Sequence, residues 1–362
     1  MELVHVLAVF RHGDRSPITG TVGTNLTMSE DETQYWTTEL ASEATCLRLN
    51  ERVRVQSSGP LAGGVWPRGH LTERGVNDMT RLGVEFRKRY AALVPRDHDP
   101  HTLIYACSTN ISRTILSAKS FLSGFCGGDR LSSDNPLVLH TVEPKDLTPV
   151  LTGQEYRLRA QQLRQLALAT LHGYAALEVA VKQVIGIRGA VNWASLREVL
   201  DCRHTHELPF PEGISSAMYD AITRHAAWEW YMFYSDPQGG QRGFIQAMRN
   251  FHDLLRDAIL TTPQGRRFTL VCAHDNSLVA LVCALQLHHS SGFVPPPYGS
   301  TLVVEIYQDK SNGTHHVNVQ WDGKAMRFPQ QETSLVPIEV LHAAVASFIH
   351  ATTASAPSTS SM

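Results

Sequence analysis

Three short apolar runs constrain how this chain can fold, because each stops at charged or titratable residues. Leu3 to Phe10 runs into Arg11-His12, Leu103 to Cys107 leads into "STNISRTILSAKSFLSGF" with Arg113 near a helix start, and "RRFTLVCAHDNS" ends in His274-Asp275. Continuous apolar runs of this length read as strands buried on both faces. The latter two pass straight into helical spacing, and strands separated by helical crossovers pair in parallel. The expected fold class is therefore α/β, a mainly parallel central sheet flanked by helices. "STLVVEIYQDKSNGTHHVNVQW" alternates on both sides of Asn312-Gly313, a hairpin signal that adds an antiparallel edge.

The remaining segments set the domain plan. Thr72 stands where a helix N-cap belongs, and Val76, Met79, Leu82, Phe86, Tyr90 and Leu93 follow at helical spacing. Pro17 to Gly69 is rich in Gly, Ser and Thr with little periodicity and reads as a long loop. Between 148 and 241 the periodicity is mainly helical, including a Gln/Arg/Leu/Ala-rich run from Gln154 to Lys182, and another helix is expected over Gly243 to Leu260. The plan is an α/β core over 1–147 and 242–350, a helical insert or cap over 148–241, and a disordered Ser/Thr-rich tail over 351–362. A chain of 362 residues is long enough for such a domain with a large insertion.

Composition narrows the function classes. Lysine and arginine total 32 against 34 acidic residues, so there is no bulk positive charge to hold nucleic acid, and any anion site must be local. No run of 18 or more apolar residues is present to form a transmembrane segment. Met1-Glu2-Leu3 has no basic leader and His5 breaks the apolar run, so the N-terminus reads as a strand rather than a signal peptide. Six cysteines form no CxxC pair, and no disulfide is assigned. The sequons at Asn25, Asn110 and Asn312 would matter only in a secretory compartment. Cys202, His204 and His206 alternate without a second ligand cluster, which favours structural roles; no metal and no cofactor are expected.

In open α/β sheets ligands bind outside the carboxyl ends of the strands, and Arg11-His12, Arg113 and His274-Asp275 each follow an expected strand at that end. With Arg15 they can share one pocket. Arginines present planar forks of N–H donors, and several together without a lysine favour a dianionic tetrahedral ligand, a phosphoryl group. Phosphoryl transfer needs chiefly positioning and charge stabilisation, to which this set adds a nucleophile candidate, His12, and a proton-donor candidate, Asp275. The pocket has the parts of a metal-free phosphatase.

"RHGDRSP" fits the RHGxRxP signature of the histidine acid phosphatases, and "AHDNS" resembles that family's HD motif. "WPRGHLTERG", "FRKRY", "STNISRT", "LHTVEP" and "PPPYGSTLVVEIY" also resemble stretches of prostatic-type and lysophosphatidic acid phosphatases, over roughly residues 3 to 325. The resemblance implies a phosphohistidine mechanism in which His12 attacks phosphorus, Asp275 protonates the leaving alcohol and then assists water, and Arg11, Arg15, Arg113 and His274 hold the phosphate. It also implies a small-molecule phosphate monoester as partner, with a lysophospholipid as one candidate. A homodimer and a secretory, lysosomal or cell-surface location are compatible with it.

Cys272 and Asn276 flank the HD pair where the family often has serine or threonine, and the cysteine-rich C-terminal stretch of prostatic-type enzymes is missing. His140 is read as structural, and Asp14, at the variable signature position, as lining the pocket entrance or lying on a solvated surface. The competing readings are a phytase, which the acidic, polar stretch "TGTVGTNLTMSEDETQYW" disfavours, a phosphoglycerate-mutase-like protein, and a catalytically silent phosphate-binding or cell-surface interaction protein.

Overall fold

A computed structural model describes residues 1–57, 59–127, 129–150, 153–237, 240–261, 265–291 and 294–354. The apolar opening run forms β1 (Glu2–Arg11), buried from His5 onward. The segment expected to be a long loop is more ordered than its sequence indicates. It holds a hairpin of β2 (Thr21–Val22) and β3 (Leu26–Thr27), two helices, α1 (Glu30–Glu39) and α2 (Glu43–Arg52), and an edge strand, β4 (Val53–Gln56). The helices begin at Ser29 and Ser42, whose hydroxyls accept from the N–H groups of Glu32 and Thr45. Each is only ten residues long; α1 buries only Trp36 and α2 only Thr45 and Leu49, so no apolar stripe marks them.

Thr72 caps α3 (Glu73–Arg89) by accepting from the Gly75 N–H. A single helical turn, α4 (Pro100–Leu103), then takes up Leu103, so the next strand, β5, starts at Ile104 and runs to Thr109. α5 (Ser112–Cys126) and β6 (Leu137–Val142) complete the first half. The helical insertion follows as α6 (Gly153–Thr170), α7 (Tyr174–Ile185), α8 (Trp193–Thr205) and α9 (Ser216–Tyr234), with its own core of Val181, Ile185, Trp193, Leu196, Leu200 and Ile222. The chain returns through α10 (Ile245–Thr261), β7 (Phe268–Ala273), α11 (Asp275–Ala284) and the short α12 (His288–Ser291). β8 (Thr301–Gln308), β9 (His315–Trp321), β10 (Lys324–Ala325), β11 (Leu335–Pro337) and α13 (Ile338–Ala354) end the described fold. Because α13 reaches Ala354, the tail expected from 351 begins inside a helix; the rest of it, 355–362, lies outside the described residues.

Among the described residues the main sheet has nine strands in the order β10-β9-β8-β1-β7-β5-β6-β4, with β11 beside β9. From β1 to β4 every pair is parallel, and the β8–β9 hairpin supplies the antiparallel edge. One face carries α3 and α5 over Phe10, Phe86, Phe121, Phe125 and Phe268; the other carries α10, α11 and α13 over Leu7, Val9, Met248, Leu278 and Phe348. α3 and α5 touch backbone to backbone. A Cβ on Gly83 would lie 2.1 Å from the Phe121 carbonyl, and one on Gly124 2.1 Å from that of Thr80.

This packing determines where the polar strand ends go. Arg11 of β1 is in register with Ala273 of β7, and Ser108 of β5 with Cys272. Three consecutive parallel strands therefore deliver Arg11-His12, His274-Asp275 and the turn leading to Arg113 to one edge of the sheet.

Candidate active site

The loop after β1 is tied to both neighbouring strands: the Arg11 N–H donates to Ser300 O at 2.9 Å and the His12 N–H to Ala273 O at 3.1 Å. The His12 side chain is 2% exposed, and its Nδ1 lies 2.8 Å from the Gly13 carbonyl. Since a carbonyl only accepts, Nδ1 carries the proton and Nε2 keeps its lone pair. Burial first, and then Arg113, Arg15 and Arg11, hold His12 well below the ordinary imidazole range, so the ring stays neutral in mildly acidic solution.

His274 is the N-cap residue of α11, and its ring meets that of His12 edge-on at 5.5 Å. Arg113 Nη2 donates to His274 Nδ1 at 3.3 Å, which leaves His274 Nε2–H to donate to Thr109 Oγ1 at 3.0 Å. Burial and the nearby Arg15 push Arg113 down to about 9, outweighing Asp275 and Glu198, which act the other way. Arg11 donates from Nη1 to Pro296 O at 2.6 Å, lies over the Tyr298 ring at 4.2 Å, and pairs through Nη2 with Asp275 Oδ2 at 3.1 Å. The other Asp275 oxygen accepts from the Asn276 N–H at 2.9 Å. Burial alone would raise the Asp275 carboxyl, but Arg11, Arg197 and Arg15 outweigh it and hold it below the ordinary carboxylate range. Among the described residues, the buried Nε atoms of Arg11, Arg15 and Arg113 have no protein partner, so donors remain for a ligand rich in oxygen.

All six residues singled out from the sequence, Arg11, His12, Arg15, Arg113, His274 and Asp275, are thus brought together at one edge of the sheet. A Histidine phosphatase superfamily (branch 2) family model matches residues 2–320. This chain belongs to that family. Phosphomonoester hydrolysis is the chemistry of this branch of histidine phosphatases, and similar proteins bear related names. Prostatic acid phosphatase of Rattus norvegicus is 24% identical over 347 residues, covering 91% of this chain and 80% of the relative. Lysophosphatidic acid phosphatase type 6 of Bos taurus is 25% identical over 358 residues, covering 90% of this chain and 78% of the relative. Among solved structures, the apo phytase of Hafnia alvei superposes with a TM-score of 0.60 at 14% identity over 96% of this chain and 97% of that one, a likeness of fold.

Within this branch 2 histidine phosphatase, three further groups adjoin these residues that the sequence reading did not single out. Glu198 of α8 accepts from Arg15 Nη1 at 2.5 Å and from the N–H groups of Ile18 and Thr19, at 2.7 and 3.2 Å. Arg197, beside it, donates from Nη2 to Asp275 Oδ2 at 3.2 Å. Neither carries a motif, and both fall in a stretch marked only by general helical periodicity. Tyr298, whose ring is 6.0 Å from His12, lies in the family-like "PPPYGSTLVVEIY", where a signal was present.

Asp14 differs from both expectations, since it is 1% exposed and lines neither an entrance nor a surface. Its Oδ2 accepts from Thr72 Oγ1 and His206 Nε2, both at 2.6 Å, which anchors the loop to the start of α3. His206 in turn accepts at Nδ1 from Tyr35 Oη, while His204 packs on Tyr219 and Cys202 Sγ lies 3.2 Å from Tyr298 Oη, so these three residues have separate partners. His140 stacks on Tyr105 at 5.1 Å. The six cysteines are free thiols.

Histidine 15N spectra at pH 5 should show both pocket rings neutral, His12 protonated on Nδ1 and His274 on Nε2. An imidazolium pattern at either position would contradict the assignment.

Proposed function

We propose that the chain is a metal-independent acid phosphatase that works through a phosphohistidine on His12, with Asp275 as proton donor. The free Nε2 of the buried His12, among the guanidinium groups of Arg11, Arg15 and Arg113, is the observation that carries this reading. A phosphate dianion held by Arg11, Arg15 and Arg113, the last oriented by the Nδ1 lone pair of His274, presents phosphorus to Nε2. The P–N bond forms as the ester P–O bond breaks, and the departing oxygen takes the proton of Asp275. Water then attacks the phosphohistidine, giving its proton to the Asp275 carboxylate, and phosphate leaves with His12 neutral again. The arginines supply the positive charge for which other phosphatases use metal ions.

The carboxyl must change state for this to work. In the pocket without substrate Arg11, Arg197 and Arg15 keep Asp275 ionised. An arriving dianion engages Arg11 and places negative charge beside Asp275, and both effects raise the carboxyl's affinity for a proton. Its proton is then lost as pH rises, so turnover falls through neutrality, whereas His12 stays unprotonated well into the acid range.

The pocket mouth favours an amphiphilic monoester over a highly charged one. Ile18, Leu61, Val65 and Trp66 are exposed, on segments hydrogen-bonded to the phosphate-binding loops: Ala62 N–H donates to Asn110 O at 2.9 Å and Gly69 N–H to Pro17 O at 3.0 Å. Apolar side chains here gain by covering an apolar substrate body.

Hydrolysis of 4-nitrophenyl phosphate between pH 4 and 8 should be highest in acid, resist a chelator, and fall at least ~1,000-fold in His12→Ala, as for loss of a catalytic nucleophile. A folded wild type without turnover would instead favour a silent phosphate binder. The double variant Leu61→Ser/Trp66→Ser should raise KM for decyl phosphate by about tenfold, the order expected for a few lost apolar contacts, and leave ethyl phosphate unchanged. Equal effects on both substrates would contradict the apolar rim.

A further inference from the structure

The helical insertion places a fourth arginine against the carboxylate that the proposed reaction uses as its acid. Arg197 is 2% exposed and fixed on several sides: its guanidinium lies over the Trp230 ring at 4.5 Å, Nε is 3.7 Å from Asp201 Oδ2, and Nη2 donates to Asp275 Oδ2. Asp201 is itself held by Tyr219 Oη at 3.0 Å. Arg197 Nη1 is buried without a hydrogen-bond partner among the described residues, an arrangement that costs stability and that a purely structural arginine would not need.

Asp275 Oδ2 is shared between Arg11 at 3.1 Å and Arg197 at 3.2 Å. These two arginines have different futures once substrate binds. Arg11 belongs to the phosphate-binding set and is drawn toward the dianion, whereas Arg197 has Trp230 and Asp201 to keep it in place. We infer that Arg197 is the positioning residue of Asp275, contributed by the insertion to keep the carboxyl aimed at the leaving oxygen while Arg11 turns to phosphate. The inference rests on Asp275 being the acid. It also gives the insertion a part in catalysis, because α8 and α9 together hold the group that holds the proton donor.

The charged and titratable groups around Asp275 set the direction of the pH effect. They are Arg11 at the end of β1, Arg15 from the loop after it, Arg113 from α5, Arg197 and Asp201 from α8, Tyr234 from α9, and the adjoining His274. Removing the Arg197 cation lets Asp275 keep its proton to higher pH. The alkaline limb of the kcat profile therefore moves upward in Arg197→Gln.

The test compares leaving groups. 4-Nitrophenolate departs with little help, whereas an alkoxide needs the proton, so a misaimed acid harms alkyl phosphate far more. Arg197→Gln should lower kcat for ethyl phosphate at least ~10-fold more than kcat for 4-nitrophenyl phosphate, within the range that general acids supply. Inhibition by inorganic phosphate should stay within about twofold, because the phosphate-binding donors remain, and Arg197→Lys should recover part of the loss. Equal losses on both substrates with an unmoved alkaline limb would assign Arg197 a structural role and overturn the inference. Should Arg197→Gln fail to fold, Arg197→Lys and Trp230→Leu give the same comparison. Asp275→Asn separates the two claims: if it shows no leaving-group dependence, the proposed acid is wrong; if it does and the Arg197 variants do not, only this inference falls.

Discussion

The site depends on crowding cations where water cannot screen them. Arg11, Arg15 and Arg197 are almost fully buried near the ends of β1, β7 and β5, Arg113 adjoins them, and Asp275, Glu198 and Asp201 are paired with them there. Burial and this crowding together push the Arg113 guanidinium down to about 9. Much of the architecture reads as the means of holding this cluster. The parallel register of three strands sets the spacing, the glycine contact between α3 and α5 fixes the helix that starts beside Arg113, and Glu198 ties the Arg15 loop to the insertion. Burial keeps His12 neutral and the same crowding reinforces it, so the proposed phosphate grip and the proposed nucleophile draw on one cluster of cations.

The insertion is thus more than a cover on an α/β core. α8 presents Arg197 and Glu198 on successive residues, and these reach two different arms of the pocket, Asp275 and Arg15. A single helix therefore couples Asp275, the proposed acid, to Arg15 of the proposed phosphate clamp. Its placement relies on the insertion's core, where Leu196 and Leu200 on the same helix are fully buried.

The parts of the fold that sequence made legible are those where burial is continuous. β1 and β7 are buried along nearly their whole length, so their apolar runs end close to where the strands do, and the RHGDRSP and HD residues fall at those ends. α1 and α2 were not legible because short helices that bury only one or two residues need little apolar periodicity. Asp14 was misread for a related reason. Its partners, Thr72 and His206, lie 58 and 192 residues away, and nothing local distinguishes a buried hydrogen-bonded aspartate from a solvated one. Arg197 and Glu198 share that difficulty: their roles are set by tertiary placement alone.

The most direct measurement is rapid acid-free quenching of the enzyme with 32P-labelled 4-nitrophenyl phosphate, followed by mapping of the labelled peptide. The account predicts a base-stable, acid-labile label on His12 that forms and decays fast enough to carry turnover. Active enzyme that never accumulates label at His12 when water attack is slowed in Asp275→Asn, or label on another residue, would contradict it.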